Sequence, residues 1–306
     1  MSSTDPATQA KESFSSLTLD PELLQLEADE LQFYKHKTGI ENEQELKRHI
    51  VEVQADAYAV YPYPCIRSFA FTKLKISRLL GYNQLLKLGK ERPGALFLDI
   101  GCCFGNDVRK ALDDGFPAKQ AIGSDLQPEF WELGYRLFRD SAETFPVPFI
   151  PGDAFDDEFL AVSPPEGTDF NSPLPEISTL KSLNPLHGRL SAIHASSFFH
   201  LFNEEKQALL AHKLASLLSP EPGSIIFGAH GGQPVKGNRK SFRQNLKEVV
   251  MFCHSPESWT ELWEKEVFGE GEVKVTAVLR EVERKDMLMY ENNKFCVLIW
   301  SVERLK

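Results

Sequence analysis

The stretch FLDIGCCFGND, Phe97 to Asp107, decides the fold. An apolar run of strand character ends in an acid, Asp99, and then breaks into glycines at 101 and 105 with two cysteines between them. Glycine at a strand-to-helix turn supplies positive φ and lets a ligand approach the backbone. Taken alone, the spacing admits a nucleotide-type cofactor site, a redox cysteine pair, or an ordinary turn with an acid at the helix cap.

Outward from this stretch, strands and helices alternate. GALFLDIG (94–101) reads as strand and DVRKALDDG (107–115) as helix, QAIGSDL (120–126) as strand and PEFWELGYRLFRDS (128–141) as helix, and VPFIPGDAF (147–155) as a third strand. A proline-broken insertion at about 164–185 precedes a fourth strand in LSAIHASSFFHLF, a helix in EEKQALLAHKLASLL and a fifth strand in GSIIFGAHGG. SPESWTELWEKEVF is helical, and EVKVTAVLREVE and KFCVLIWSVERL are long strands whose short link predicts an antiparallel pair. The repeated strand–helix–strand order predicts a doubly wound α/β sheet that binds its ligand at the carboxyl ends of the strands.

Upstream, the first 20 residues are rich in Ser, Thr, Asp and Lys and read as a disordered tail. From Pro21 to about Tyr58 apolar residues recur at helical intervals, predicting two helices. YPYPCIRSFAF (61–71) is poor helix and poor central strand, because proline removes donors and restricts its predecessor, and predicts a loop leading into a helix over TKLKISRLLGYNQLLKLG.

Composition narrows the function. The 306 residues are 42% hydrophobic and 25% charged with 22 Phe, enough for a large core and for aromatic side chains to spare for a pocket. A net charge of −10 repels a phosphate backbone and argues against nucleic acid as the main partner. The N-terminus lacks the apolar core of a signal peptide and no stretch approaches a membrane span, which together predict a cytoplasmic protein. Cys65, Cys102, Cys103, Cys253 and Cys296 form no CxxC pair and no Cys/His metal spacing, so they are expected to be reduced and mostly buried, with no metal site. Adjacent Cys102 and Cys103 cannot bridge each other without strain, which disposes of the redox reading.

Seven strands in this order, closed by a hairpin, resemble the class I S-adenosylmethionine-dependent methyltransferases. A dinucleotide fingerprint starting at Gly101 needs glycines at 103 and 106, where Cys103 and Asn106 stand. The methyltransferase pattern, an acid two residues before alternate glycines, finds Asp99, Gly101 and Gly105, with Cys103 as the departure, tolerated if its φ is negative. The resemblance implies a Rossmann-like seven-stranded mixed sheet, six strands parallel and the last antiparallel, flanked by helices under an N-terminal helical lid. It divides the chain into a tail (1–20), a helical cap and substrate lid (21–92) and a catalytic domain (93–306). It also implies that Asp99 meets the cofactor's amino group, that Asp125 meets the ribose, and that Asp153 with Ala154 and Phe155 meets the adenine, while Leu126 and His194 join the cofactor site. Asp125 reads equally as a helix cap before Pro128.

YPYPCIRSFAF, HASSFFHLFNEEKQ, GAHGGQP and HSPESWTELWEK further resemble fungal methyltransferases of secondary metabolism that esterify carboxyl groups of terpenoid or polyketide-terpenoid intermediates. This implies S-adenosyl-L-methionine as donor, S-adenosyl-L-homocysteine as product, a hydrophobic small-molecule substrate, and a monomer or homodimer. Methyl transfer is an in-line displacement, so alignment and water exclusion dominate. A carboxylate acceptor is ionised at neutral pH, whereas a hydroxyl or phenol calls for a base. His200 and His230 are the candidate catalytic residues, His200 equally readable as a structural helix histidine and His230 more readily as part of a turn, and His254 reads as the neighbour of a helix cap. Tyr61, Tyr63, Phe69, Phe198, Phe199 and Trp259 are candidate walls of an apolar pocket. Pro62 and Pro64 stiffen the lid, and Arg67 is placed to pair with a carboxylate. Two alternatives stand beside this reading: a hydroxyl or phenol O-methyltransferase, and a methyltransferase-like protein that binds without turning anything over. The Asn-Pro-Pro-Tyr of amide and base methylation is absent, and HASS stands in its place.

Overall fold

β1 (Leu96–Ile100) is buried along its whole length, as are β2 (Ala121–Ser124) and β3 (Leu190–His194). Unbroken apolar runs belong to parallel strands covered on both faces by helices. The computed structural model describes residues 18–163, 173, 176–242, 248–283 and 294–306. With β4 (Ile225–Gly231), β7 (Val273–Glu283) and β8 (Lys294–Arg304), these strands form one sheet in the order β2-β1-β3-β4-β8-β7. β2, β1, β3 and β4 pair in parallel, and β8 runs antiparallel to both its neighbours, so it alone opposes the common direction.

Among the described residues the sheet therefore has six strands where seven were expected. Residues 147–155 contribute only a parallel bridge, Gly123 with Phe149, carried by Gly123 N–H to Pro148 O (3.0 Å) and Ile150 N–H to Gly123 O (2.9 Å). Pro148 and Pro151 flank that bridge, and neither has an N–H to extend a ladder. A hairpin absent from the sequence reading, β5 (Gly237–Phe242) with β6 (Glu248–Cys253), forms a separate two-stranded sheet.

The expected pair of N-terminal helices is α1 (Ala28–Thr38) and α2 (Glu43–Val60), separated at Gly39, whose φ of 70° ends α1. The next region departs from expectation twice. Pro64–Arg67 is a single helical turn rather than loop, with Pro64 at the first helical position, where no donor is lost. The helix expected from Thr72 is instead a 3₁₀ turn at Ile76–Arg78 followed by α3 (Tyr82–Glu91). Gly81 precedes α3 and lies so close to the sheet that a Cβ there would come within 2.5 Å of the Phe227 ring. Helices α4 (Asn106–Asp113) and α5 (Pro128–Phe138) follow β1 and β2, α6 (Glu204–Leu217) joins β3 to β4, and α7 (Pro256–Glu261) precedes β7.

Three apolar clusters hold this together. Ile100, Ile193, Ile226, Trp259, Trp263 and Trp300 lie on one face of the sheet, and Phe97, Ala192 and Phe227 pack with Leu85 and Leu88 on the other. The third joins Tyr34, Ile50 and Val53 of the N-terminal helices to Phe104, Phe130 and Phe138 beside the glycine turn. Each buried Phe contributes about 1.5–3 kcal/mol, so the N-terminal helices are held to the carboxyl end of the sheet by core packing. Of the expected tail, residues 1–17 lie outside the described residues, as do 164–172 and 174–175 of the insertion, where Ile177–Thr179 and Asn184–Leu186 form 3₁₀ turns. Among the described residues no helix is long and apolar enough to cross a membrane.

Candidate active site

β1 has β2 on one side and β3 on the other, so the chain leaves β1 and β3 in opposite directions and a crevice opens beyond their carboxyl ends. Register places Asp99 beside His194, and His194 beside Phe227. Their side chains share the face occupied by Phe97, Ala192 and Phe227. His194 Nδ1 lies 2.8 Å from Asp99 Oδ1, and His194 Nε2 lies 2.7 Å from Ser196 Oγ. Asp99 and His194 are buried, while Ser196 is half-buried. Burial pushes the Asp99 carboxyl up. Burial also opposes charge on His194, but the adjacent carboxylate outweighs it and holds the imidazole above its usual range. Both directions describe one pair that keeps a shared proton more firmly than a free histidine does.

The turn after β1 carries three left-handed residues: Gly101 (φ 70°), Cys103 (φ 50°) and Gly105 (φ 69°). Gly101 and Cys102 N–H donate to Ser124 O at 2.8 and 3.1 Å, and Gly105 N–H to Cys102 O at 2.8 Å. A Cβ at Gly105 would fall 2.7 Å from Trp131, and one at Gly101 3.0 Å from Phe198. The negative φ anticipated for Cys103 is not adopted. The residue keeps the glycine conformation at a cost of about 1–2 kcal/mol for its Cβ, and its N–H donates to Asp125 Oδ2 at 2.9 Å. Burial pushes the Cys102 and Cys103 thiols well above their usual range, which leaves them poor nucleophiles.

Asp125 also accepts Gln127 N–H at Oδ1 (3.0 Å), and burial pushes its carboxyl up. The Leu126 N–H also favours the charged carboxylate, and the two oxygens together keep capacity for a further donor. Beside it Leu126 is 52% exposed, an apolar surface at the crevice edge. Asp153 ends no strand, because residues 147–155 form only the bridge. It is exposed in a turn, with Oδ1 accepting Phe155 N–H at 2.9 Å. Ala154 is buried and Phe155 packs edge-on to Phe202 at 4.6 Å.

Tyr61 and Tyr63 pack at 4.2 Å, and burial, with the Asp125 charge adding to it, pushes the Tyr63 phenol up, so this segment of the cap lies beside the acid. Arg67 Nε donates to Thr18 O at 3.1 Å. Phe198 is half-buried and crosses Gly101. Phe69, Phe199 and Trp259 are core residues, each no more than 1% exposed.

The histidines separate by face. His230 shares its face of β4 with Ile226, opposite to Phe227, and so lies across the sheet from the Asp99–His194 pair. It sits 4.7 Å from the Trp259 ring, and its Nδ1 accepts Trp300 Nε1–H at 2.9 Å. Burial pushes its pKa well below the usual range and keeps it neutral. Half-buried His200 accepts Gly231 N–H at Nδ1 (3.2 Å), and buried His254 pairs through Nδ1 with Ser258 Oγ (2.9 Å) inside the capping box of α7.

Several groups around the crevice escaped the sequence reading. Lys75 Nζ reaches Ser197 Oγ at 3.5 Å, and its charge acts on Asp99, His194 and Cys103. Ser197 is itself left-handed, with φ 54°. Asn106, which breaks the dinucleotide spacing, donates its amide to Tyr34 OH at 2.5 Å and to Phe71 O, and Asp107 Oδ1 accepts Ile76 N–H at 3.0 Å. Together they tie the cap to the glycine turn. The signal for them was the polar pair closing FLDIGCCFGND, whereas nothing in the sequence marked Lys75.

Residues 18–72 match the sequence family described as Meroterpenoid methyltransferase N-terminal domain. Over 240 residues the chain is 34% identical to O-methyltransferase phiE from a fungal species, covering 78% of this chain and 70% of that one. Over 222 residues it is 33% identical to Asnovolin E/Chermesin D methyltransferase nvfJ of Aspergillus novofumigatus, covering 72% and 70%. A solved S-adenosylmethionine dependent methyltransferase from Mesorhizobium loti superposes with a TM-score of 0.41 at 14% identity, covering 75% of this chain and 100% of that one.

Proposed function

This chain belongs to the fungal secondary-metabolite methyltransferase family, and we propose that it uses S-adenosyl-L-methionine to methylate a carboxyl oxygen of a hydrophobic terpenoid or polyketide-terpenoid metabolite. The observation that carries this reading is the glycine turn. Three consecutive alternate residues are left-handed beside a buried acid at the point where the sheet changes direction, and one of them holds that conformation without being glycine.

The residues present suit the cofactor. Asp99 is a buried acceptor for its ammonium, Asp125 retains acceptor capacity for the ribose hydroxyls with the apolar surface of Leu126 next to it in sequence, and Asp153, Ala154 and Phe155 are the groups we assign to the adenine. When bound, the sulfonium supplies an electrophilic methyl group. The chain's own part is to exclude water and set the acceptor in line, and Tyr61, Tyr63 and Arg67 of the cap together with Phe198 are the groups we assign to that task. His200 supports a carboxylate acceptor. Because its Nδ1 takes the Gly231 N–H, the neutral ring carries its hydrogen on Nε2, a tautomer that suits a carboxylate partner better than a proton-abstracting role. His230 has no direct part in this arrangement, since it faces the opposite side of the sheet.

A hydroxyl acceptor is the second reading, favoured by the Asp99–His194–Ser196 chain, which has a place for a proton. The test is methyl transfer from labelled S-adenosyl-L-methionine to a panel of terpenoid acids and their corresponding alcohols. Label released by mild alkali is an ester and supports the carboxyl reading. Alkali-stable label, an ether, supports the hydroxyl reading. No transfer to any hydrophobic acid or alcohol overturns both.

A further inference from the structure

The chain from Asp99 through His194 to Ser196 runs from the buried centre of the sheet to the half-buried crevice, with links of 2.8 and 2.7 Å. Phe227 packs against the imidazole at 5.2 Å and closes its other side. Ser196 is the least buried of the three and thus the exit for any proton the pair releases. A serine hydroxyl both donates and accepts, so the chain stays hydrogen-bonded in two protonation states. With His194 doubly protonated, Nδ1–H donates to Asp99 and Nε2–H to Ser196 Oγ. With His194 neutral, Nδ1–H still donates to Asp99 and the Ser196 hydroxyl turns to donate to Nε2.

We propose that His194 and Ser196 are positioning residues for Asp99, and that binding of the cofactor's ammonium group is coupled to release of one proton from this chain. The inference rests on the cofactor reading above. Before binding, a carboxylate and an imidazolium make a buried pair with no net charge. The cofactor's amino acid brings its own carboxylate with the ammonium, but the ammonium itself is set against Asp99, where it and the imidazolium are two cations sharing one carboxylate. Loss of one proton from His194 Nε2, through Ser196 Oγ to solvent, restores neutrality while Nδ1–H keeps the carboxylate oriented. No covalent bond other than N–H is broken, and the proton passes to buffer.

Other charges face the pair from neighbouring elements. Asp107, on the first turn of α4, favours retaining the proton on both groups, and Lys75, in the segment before α3, opposes it. Asp99 in turn acts on Asp125 at the end of β2 and on the Cys102 thiol, both of which burial already holds up. Asp125 is held by its own backbone donors, Cys103, Gln127 and Leu126, so it is not a link in the chain.

The experiment is calorimetric titration of the full chain with S-adenosyl-L-homocysteine, which carries the ammonium but cannot transfer a methyl group, in buffers of different ionisation enthalpy across pH 6 to 9. The dependence of the observed heat on buffer enthalpy counts the protons released. The expected result is release approaching one proton at the acid end and falling towards zero at the alkaline end. His194→Gln, which can still donate to Asp99, should bind with no proton release. Ser196→Ala removes the acceptor of Nε2–H, destabilises the imidazolium, and should move the release curve to lower pH. Tight binding without proton release at any pH, or unchanged release in His194→Gln, overturns the proposal and leaves the cofactor reading intact. Absence of binding by the unmodified chain overturns the cofactor reading and this one with it.

Discussion

Asp125, at the end of β2, accepts the backbone N–H of Cys103 in the turn after β1 at 2.9 Å, so the acid of one strand fixes the loop of its neighbour. That bond explains how a non-glycine residue occupies the middle of the turn. The left-handed conformation costs Cys103 about 1–2 kcal/mol, and a hydrogen bond to a charged acceptor contributes about 1.5–3 kcal/mol in return.

Cys103→Gly should therefore fold and change the melting temperature little. Glycine relieves the strain, but it also widens the unfolded ensemble by about 0.5–1 kcal/mol and removes a buried thiol. Cys103→Val, branched at Cβ, meets the same φ of 50° with more crowding and should lower stability by about 2 kcal/mol or more. Thermal unfolding of the two variants decides the matter. A valine variant as stable as the parent would show that the turn relaxes and the strain is not held.

Asp125→Ala should weaken S-adenosyl-L-homocysteine binding by about tenfold to a hundredfold, corresponding to about 1.5–3 kcal/mol for its charge-assisted hydrogen bonds to the ribose. Its effect on stability should be smaller in the Cys103→Gly background, where the turn needs less support. Binding and melting measured over the four proteins of that cycle give the coupling directly. Additive losses would mean that the two residues do not support one another.

The parallel strands were readable because they are buried on both faces and appear as mostly apolar runs without polar alternation, such as ALFL before Asp99. VPFIPGDAF has the same character, but Pro148 and Pro151 withhold the donors a ladder needs, and composition alone does not weigh that. GNRKSF of β5 carries no apolar alternation, so only its pairing with β6 reveals it as strand. At the site, Asp99 and Asp125 were legible as acids at strand ends. His194 and His230 look alike in sequence, each closing an apolar run, and only their positions in the pleat put one on the Asp99 face and the other among the tryptophans. Ser196 and Lys75 come to the crevice from segments whose course depends on packing, so local pattern did not announce them.

His254 should contribute an acid destabilisation, against which the raised carboxyls of Asp99 and Asp125, protonated first in the folded state, act in the opposite sense. Burial holds the His254 pKa down to about 4, against about 6.5 in the unfolded chain. A histidine depressed in the folded state is protonated first in the unfolded one, so below pH ~6.5 each unit of acidification favours unfolding by up to about 1.4 kcal/mol, until the folded group itself titrates. His230, pushed down by burial, adds in the same sense. His254→Asn keeps a polar partner for Ser258 and should flatten the melting temperature between pH 6.5 and 4 by about one proton's worth. An unchanged slope in that variant would assign the acid sensitivity elsewhere.

Asn106 is the clamp between cap and turn. Its amide serves Tyr34 OH and Phe71 O from within the core, so Asn106→Ala leaves a phenol and a carbonyl buried without that donor and should cost about 1–3 kcal/mol. Tyr34→Phe removes one of the two acceptors while the amide keeps Phe71 O, and its cost should be nearer 0.5–1.5 kcal/mol. If the clamp acts on the cap as a unit, Asn106→Ala should also speed proteolytic cleavage in residues 18–72 before the sheet opens. Mass spectrometry of the early fragments reads this out. Cleavage that begins in the sheet and the cap together would mean that Asn106 supports global stability alone and that packing at Phe104 and Phe130 suffices to hold the cap.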